Sequence, residues 1–207
     1  MLIKFDHIAY TCLKQEEDSC LLKCDDYKTV FREQGIPNLT IKQPLMDLWQ
    51  ADHDIALYES EKRMPVEMTA YDSVGLNLHK YDINGLDDIT VNTNSAQESR
   101  HFYETIGFKS CNGKLCLSFP VGYSPISLSV REVNVKEVKL CEHTIDREGY
   151  CCLAFVAYNV VRERERLSLA GIEVTEIMSL MLHGSKLNIF FAYNYQGDIC
   201  EIIGIEK

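Results

Sequence analysis

The stretch Leu86–Phe108, LDDITVNTNSAQESRHFYETIGF, sets out a strand, a capped helix and a stop in that order. In DDITVNT, Ile89 and Val91 fall on one face of a half-buried strand. Asn94-Ser95 then offers side-chain oxygen that accepts from the free backbone N–H groups of a helix start. Ala96, Phe102, Tyr103 and Ile106 lie on a stripe of helical period, and Gly107 supplies the left-handed residue that ends the helix before Phe108 opens a new strand.

Working outward, FKSC, KLCLSF and ISLSVREV follow as strands, with turns at Asn112-Gly113 and from Gly122 to Pro125. Upstream, LIKFDHIAYTC reads as a strand, and Ser19 to Gln34 as a helix with Leu22, Tyr27, Val30 and Phe31 apolar, ended by Gly35-Ile36-Pro37. LTIKQ, DIALYES and PVEMTAY are predicted strands, and Ser73 to Gly85 a connector. Downstream of the charged bridge VNVKEVKLCEHTIDREG come the strand CCLAFVAYN, a helix from about Val160 to Ala170 stopped by Gly171, and the strands IEVTEI, KLNIFFAY and ICEIIGI. A β-α-β-β-β order thus recurs three times, and because one copy cannot bury its sheet face alone, copies must pair.

The chain has 207 residues and a formal charge of -10, enough for one domain or a small one beside a larger one. Scattered acidic residues oppose phosphate backbones and anionic membrane surfaces, so nucleic acid and membranes are poor partners and small molecules or proteins better ones. Met1-Leu2-Ile3-Lys4 runs straight into a strand, and no apolar run approaches the ~18 residues of a membrane helix. The expectation is a soluble, cytoplasmic protein. The nine cysteines are odd in number and irregular in spacing, which suits reduced core fillers. Neither Cys20 with Cys24 nor Cys111 with Cys116 forms the repeated short-spaced pairs of a structural zinc site. No Gly-rich phosphate loop, Ser-centred elbow or helical metal motif is present.

FDHIAY (Phe5–Tyr10), FYETIGF (Phe102–Phe108), CLAFVAYN (Cys152–Asn159) and NYQGDICEIIG (Asn194–Gly204) resemble the vicinal oxygen chelate superfamily of glyoxalases, bleomycin-resistance proteins and extradiol dioxygenases. The resemblance implies an α+β, glyoxalase-like fold in which repeated βαβββ modules pair into a cupped half-barrel sheet. FYETIGF matches the end of a first-half helix, and ERLSLAGIEV (Glu165–Val174) that of a second-half helix. On that order, 86–207 forms a complete domain of modules 86–131 and 150–207, with 1–72 an additional N-terminal module and 73–85 a linker.

In this superfamily, metal ligands come from the first and last strands of each module. The resemblance therefore places ligands at His7 and Glu67 in the first module, at Asp88 with Ser127 in the second, and at Cys152 and Glu201 in the third. Imidazole and carboxylate suit zinc, manganese or iron, and Glu67 or Glu201 would shuttle the proton in catalysis. Asp88, Ser127 and Cys152 depart from the family pattern. The reading is accordingly a small-molecule-binding protein with a degenerate or non-standard cup. Two alternatives stay open: a divalent-metal lyase, isomerase or dioxygenase, and a dimerisation module with a vestigial cup. A homodimer would complete the His7 and Glu67 pair with its mates across a two-fold axis. His183 is read as a turn residue, Trp49 as a core residue closing the first sheet, and His53, His79, His101 and His143 as without chemistry.

Overall fold

A computed structural model of the chain describes residues 1–16, 26–76, 79–120, 122–133 and 145–205. Its architecture is α+β: among the described residues, a nine-stranded and a five-stranded sheet with two α-helices. In the larger sheet, β1 (Leu2–Leu13) pairs antiparallel with β10 (Gly149–Ala157). Outside β1 follow β4 (Val66–Tyr71), β3 (Asp52–Glu59) and β2 (Lys28–Pro37). Outside β10 follow β14 (Ile199–Ile205), β13 (Ser185–Tyr193) and β11 (Glu173–Val174), with β12 (Met178–Leu182) also on β13. The smaller sheet orders β5 (Tyr81–Ile83), β6 (Asp88–Thr93), β9 (Ile126–Glu132), β8 (Lys114–Leu117) and β7 (Lys109–Cys111).

The first module therefore shares a sheet with the third, which corrects the expected pairing of the second with the third. Burial explains the choice. In β10 the run CCLAFVA is buried at every position, as a central strand covered on both faces must be. In β6, Ile89 and Val91 are buried while Asp88 and Thr90 are half-exposed, the alternation of a strand with one wetter face. The second module instead packs on the reverse of the large sheet. Its Ile89, Phe102, Tyr103 and Phe108 join Ile8, Met68, Phe155 and Ile202 in one core, and Phe108 meets Phe155 edge-on at 6.1 Å.

The opening stretch forms α1 (Ala96–Ile106) as its sequence dictates: the Ser95 side chain accepts from the Glu98 N–H, and Gly107 adopts φ 135° at the stop. Ser99 is buried with Phe102, Tyr103 and Ile106, whereas Ala96 is only half-buried. The second helix, α2 (Val160–Leu169), is capped by Asn159. Lys28–Pro37 is an edge strand where a helix was expected; pairing with β3 overrides the apolar spacing, and Gly35 (φ 64°) serves a register shift in place of a helix stop. The rest of that expected helix, from Ser19 to residue 25, lies outside the described residues, as do Cys20, Cys24, Cys141 and His143. LTIKQ, expected as a strand, lies in a 3-10 helix, Thr40–Leu45, since Pro44 has no ladder donor. The 73–85 connector contains β5, and Trp49 is 40% exposed and no part of the core. Cys12, Cys151, Cys152 and Cys200 are buried and outside any disulfide, as core fillers are.

Candidate metal centre

Strand register alone brings His7, Glu67 and Glu201 together. On β1, His7 and Ala9 point to the same side; Ala9 stands opposite Glu67 of β4, and His7 opposite Ala154 of β10. Ala154 in turn stands opposite Glu201 of β14. Alanines at both intermediate positions leave the space between the three long side chains unfilled. Their ligand atoms all lie within 4.8 Å of one another. His7 Nε2 is 3.5 Å from Glu67 Oε2 and 3.6 Å from Glu201 Oε2.

The imidazole is oriented by its neighbour in sequence. His7 Nδ1 lies 3.1 Å from Asp6 Oδ2, and an ionised carboxylate only accepts, so Nδ1 carries the hydrogen when His7 is neutral. The lone pair is then on Nε2, which is buried, makes no hydrogen bond and faces the two glutamates. Burial opposes charge on His7, but the Glu67 charge and the Asp6 and Glu201 carboxylates outweigh it and hold the imidazole well above its usual range. Burial and the Glu201 charge push Glu67 up to about 7 against the opposing pull of His7 and Lys42. Asp6 is also buried in part, yet His7 and Lys4 hold it below the usual carboxylate range.

The three residues stand in a cavity of about 130 Å³. Its walls include Ile55, Leu57, Val156, Leu180, Leu187 and Ile189, with Phe31 and Leu182 contributed from β2 and β12. At its edge Phe31 stacks on His183 at 5.5 Å, and the His183 N–H donates to Glu33. His183 (φ 47°) and Gly184 (φ 75°) form the β12–β13 turn, so His183 is a turn residue as its sequence context suggested. A more open groove of about 600 Å³, lined by Tyr10, Lys62, Arg63 and Tyr81, lies elsewhere and contains no such ligand cluster among the described residues.

Two expected ligands are placed differently. Asp88 belongs to the five-stranded sheet, where it accepts from Lys114 Nζ at 2.9 Å and from Ser127 Oγ at 3.0 Å; it is a paired residue remote from the cup in topology. Cys152 does occupy the position on β10 that corresponds to His7, two residues before the alanine opposite a glutamate. Its thiol, however, turns to the Leu153 carbonyl at 3.7 Å and stands outside the ligand cluster. Burial and the Glu201 charge push that thiol well above its usual range, so it stays protonated.

Two residues of the cavity escaped the sequence reading. Lys42 was assigned to a strand, and nothing local distinguishes it. His53 was placed in a polar turn, but it lies on β3 and lines the cavity; the alternation of His53, Ile55 and Leu57 in DHDIALYE is the signal that locates it. Burial, with the Lys42 and Lys14 charges, lowers His53 to about 3.

No protein-family model and no curated protein sequence matches the chain. In fold it is similar to glyoxalase I from Zea mays, at 16% identity and a TM-score of 0.38, over 99% of this chain and 68% of that one. An integron cassette protein from the mobile metagenome of V. cholerae is similar at 19% identity and a TM-score of 0.40, over 59% of this chain and 96% of that one. A Bacillus subtilis structure provisionally named a dioxygenase is similar at 11% identity and a TM-score of 0.42; all of this chain is covered, but it spans only 64% of that protein's length. The architecture itself rests on the strand pairing, an α+β arrangement of two packed sheets.

Proposed function

We propose that the chain binds a divalent metal ion through His7, Glu67 and Glu201 and, at that ion, a small molecule with two neighbouring oxygens. The observation that carries this reading is the orphaned Nε2 of His7 facing two carboxylate oxygens at 3.5 and 3.6 Å. Two metal bonds of ~2.1 Å meeting at a tetrahedral angle separate their ligand atoms by about 3.4 Å, so the spacing suits an ion. Two carboxylates in a largely apolar cavity also need positive charge between them. One imidazole and two carboxylates suit zinc, manganese or iron, and three protein ligands leave positions for a ligand.

When bound, the ion would supply Lewis-acid polarisation of the substrate oxygens and charge for a developing anion. The chain's own contributions are separable from it. Asp6 fixes the tautomer and angle of His7, and the β2 and β12 side chains Phe31 and Leu182 limit access of water. Glu67 or Glu201 would carry the proton on the carboxylate oxygen that does not hold the ion. Lyase, isomerase and dioxygenase chemistry all fit this description. The metal-free alternative, a small-molecule binder with a degenerate cup, is favoured by one observation, the Cys152 thiol turned to the Leu153 carbonyl and outside the His7, Glu67 and Glu201 cluster.

Elemental analysis of protein purified without chelators decides between them. The expected result is one divalent ion per chain, lost in His7→Ala. A chain without stoichiometric metal, unchanged by His7→Ala, supports the metal-free binder.

A further inference from the structure

We propose that the ligand of this site is a small monoanion, a carboxylate with a neighbouring hydroxyl or keto oxygen, whose negative charge is received by Lys42. The inference rests on the metal-site reading above and adds the substrate class to it.

Lys42 stands on the 3-10 helix Thr40–Leu45 and lines the same cavity as His7, Glu67 and Glu201. It is half-buried, and no ion pair or hydrogen bond occupies its side chain among the described residues. Among the described residues it is also the one lysine or arginine in the cavity wall. Burial works against the charge of Lys42 while Glu201 and Glu67 favour it, so in this apolar wall the charge is best held by an anionic partner in the cavity.

Charge counting gives the sign of the ligand. A divalent ion is balanced by Glu67 and Glu201. Asp6 is balanced by Lys4, which pairs with it at 2.5 Å. Burial and the neighbouring lysines keep His53 neutral. Lys42 remains, one positive charge with no protein counterpart, and the apolar walls strengthen any pair that it forms. Size bounds the class: a cavity of about 130 Å³ admits a small ligand.

The test uses the full, metal-loaded chain with two probes of equal size, glycolate and the uncharged hydroxyacetone, both of which present neighbouring oxygens. Calorimetric titration of the wild type should show glycolate bound more tightly. Lys42→Met should weaken glycolate about tenfold to hundredfold, as loss of a hydrogen-bonded charge does. Hydroxyacetone binding and metal content should change less than twofold, and Lys42→Arg should retain most of the glycolate affinity. Equal glycolate affinity in wild type and Lys42→Met, or no preference for glycolate in the wild type, overturns the inference. Lys42→Gln carries the same expectation if Lys42→Met does not fold. Elemental analysis of each sample before titration separates the two levels: a chain without metal sinks the metal-site reading itself, whereas a metal-loaded chain indifferent to Lys42 sinks only the anion.

Discussion

Asp6→Asn probes the centre without touching a ligand. Asp6 holds His7 Nδ1 at 3.1 Å, and through it keeps Nε2 directed between Glu67 and Glu201. Asparagine keeps the shape but removes the charge that raises the basicity of the imidazole, and its amide can turn a donor towards Nδ1. Carboxylate partners of metal-bound histidines contribute tenfold to hundredfold in metal affinity, or about 1.4 to 2.7 kcal/mol. The Asp6 side chain is 22% exposed and shares its charge with Lys4, which places the effect nearer tenfold. Competition against a chromogenic chelator, with zinc or manganese at fixed pH, reads the dissociation constant directly. Asp88→Asn is the control, since Asp88 pairs with Lys114 in the other sheet; its affinity should equal that of the wild type. An Asp6→Asn affinity within twofold of wild type, or an equal loss in Asp88→Asn, would refute the reasoning.

The remaining predictions concern charge and the docking of the second module. His53 has a folded value of about 3 against an ordinary 6.5, so the unfolded chain binds more protons between those limits. Its contribution to stability is complete above pH 6.5 and is lost as pH falls, by about 2 kcal/mol between pH 6.5 and 5. Denaturant titrations should therefore show the wild type losing that much stability relative to His53→Gln as pH falls through that window; parallel curves would contradict the assignment. Lys80 Nζ pairs with the fully buried Asp198 at 2.7 Å, and Asp198 also accepts from Ser99 of α1 at 2.6 Å. Lys80→Met leaves that buried carboxylate without its counter-charge and should cost about 3–5 kcal/mol in urea unfolding; a cost below 1 kcal/mol would show that the pair does not hold the module in place.

Much of the local structure is legible in the sequence because its causes are local. Ser95, the Phe102–Ile106 stripe and Gly107 specify α1 without help from the rest of the chain. Asn112-Gly113, both at positive φ, likewise turn β7 into β8. The pairing of modules is a different kind of fact. Each copy has one sheet face to bury, so the repeat alone allows any two to join. The uninterrupted apolar run of β10, set against the alternation of β6, is the feature that selects the first and third modules. Lys28–Pro37 misleads for a related reason: Tyr27, Val30 and Phe31 match a helical spacing, yet Val30 and Phe31 are β-formers on a strand with a partner in β3.

The site divides along the same line. His7, Glu67 and Glu201 stand at positions that the family resemblance marks, so each was legible singly. That they meet in one chain follows only from the β4-β1-β10-β14 order, which places Glu201 of the third module beside His7 and Glu67 of the first. Asp88 and Ser127 stand apart from that cluster because their strands lie in the smaller sheet, where Asp88 accepts from Lys114 and from Ser127. Lys42 enters the cup from a 3-10 helix fixed by Pro44, a placement with no periodic signal.

The account is tested most directly by the metal content of Glu201→Ala beside that of Glu67→Ala, measured on protein purified without chelators. Because Glu201 comes from the third module and Glu67 from the first, a single shared centre predicts that each substitution alone removes the ion while the far-ultraviolet circular dichroism of the fold persists. Full metal content in Glu201→Ala, with loss in Glu67→Ala, would contradict it, since the ion would then be held by the first module with ligands from elsewhere.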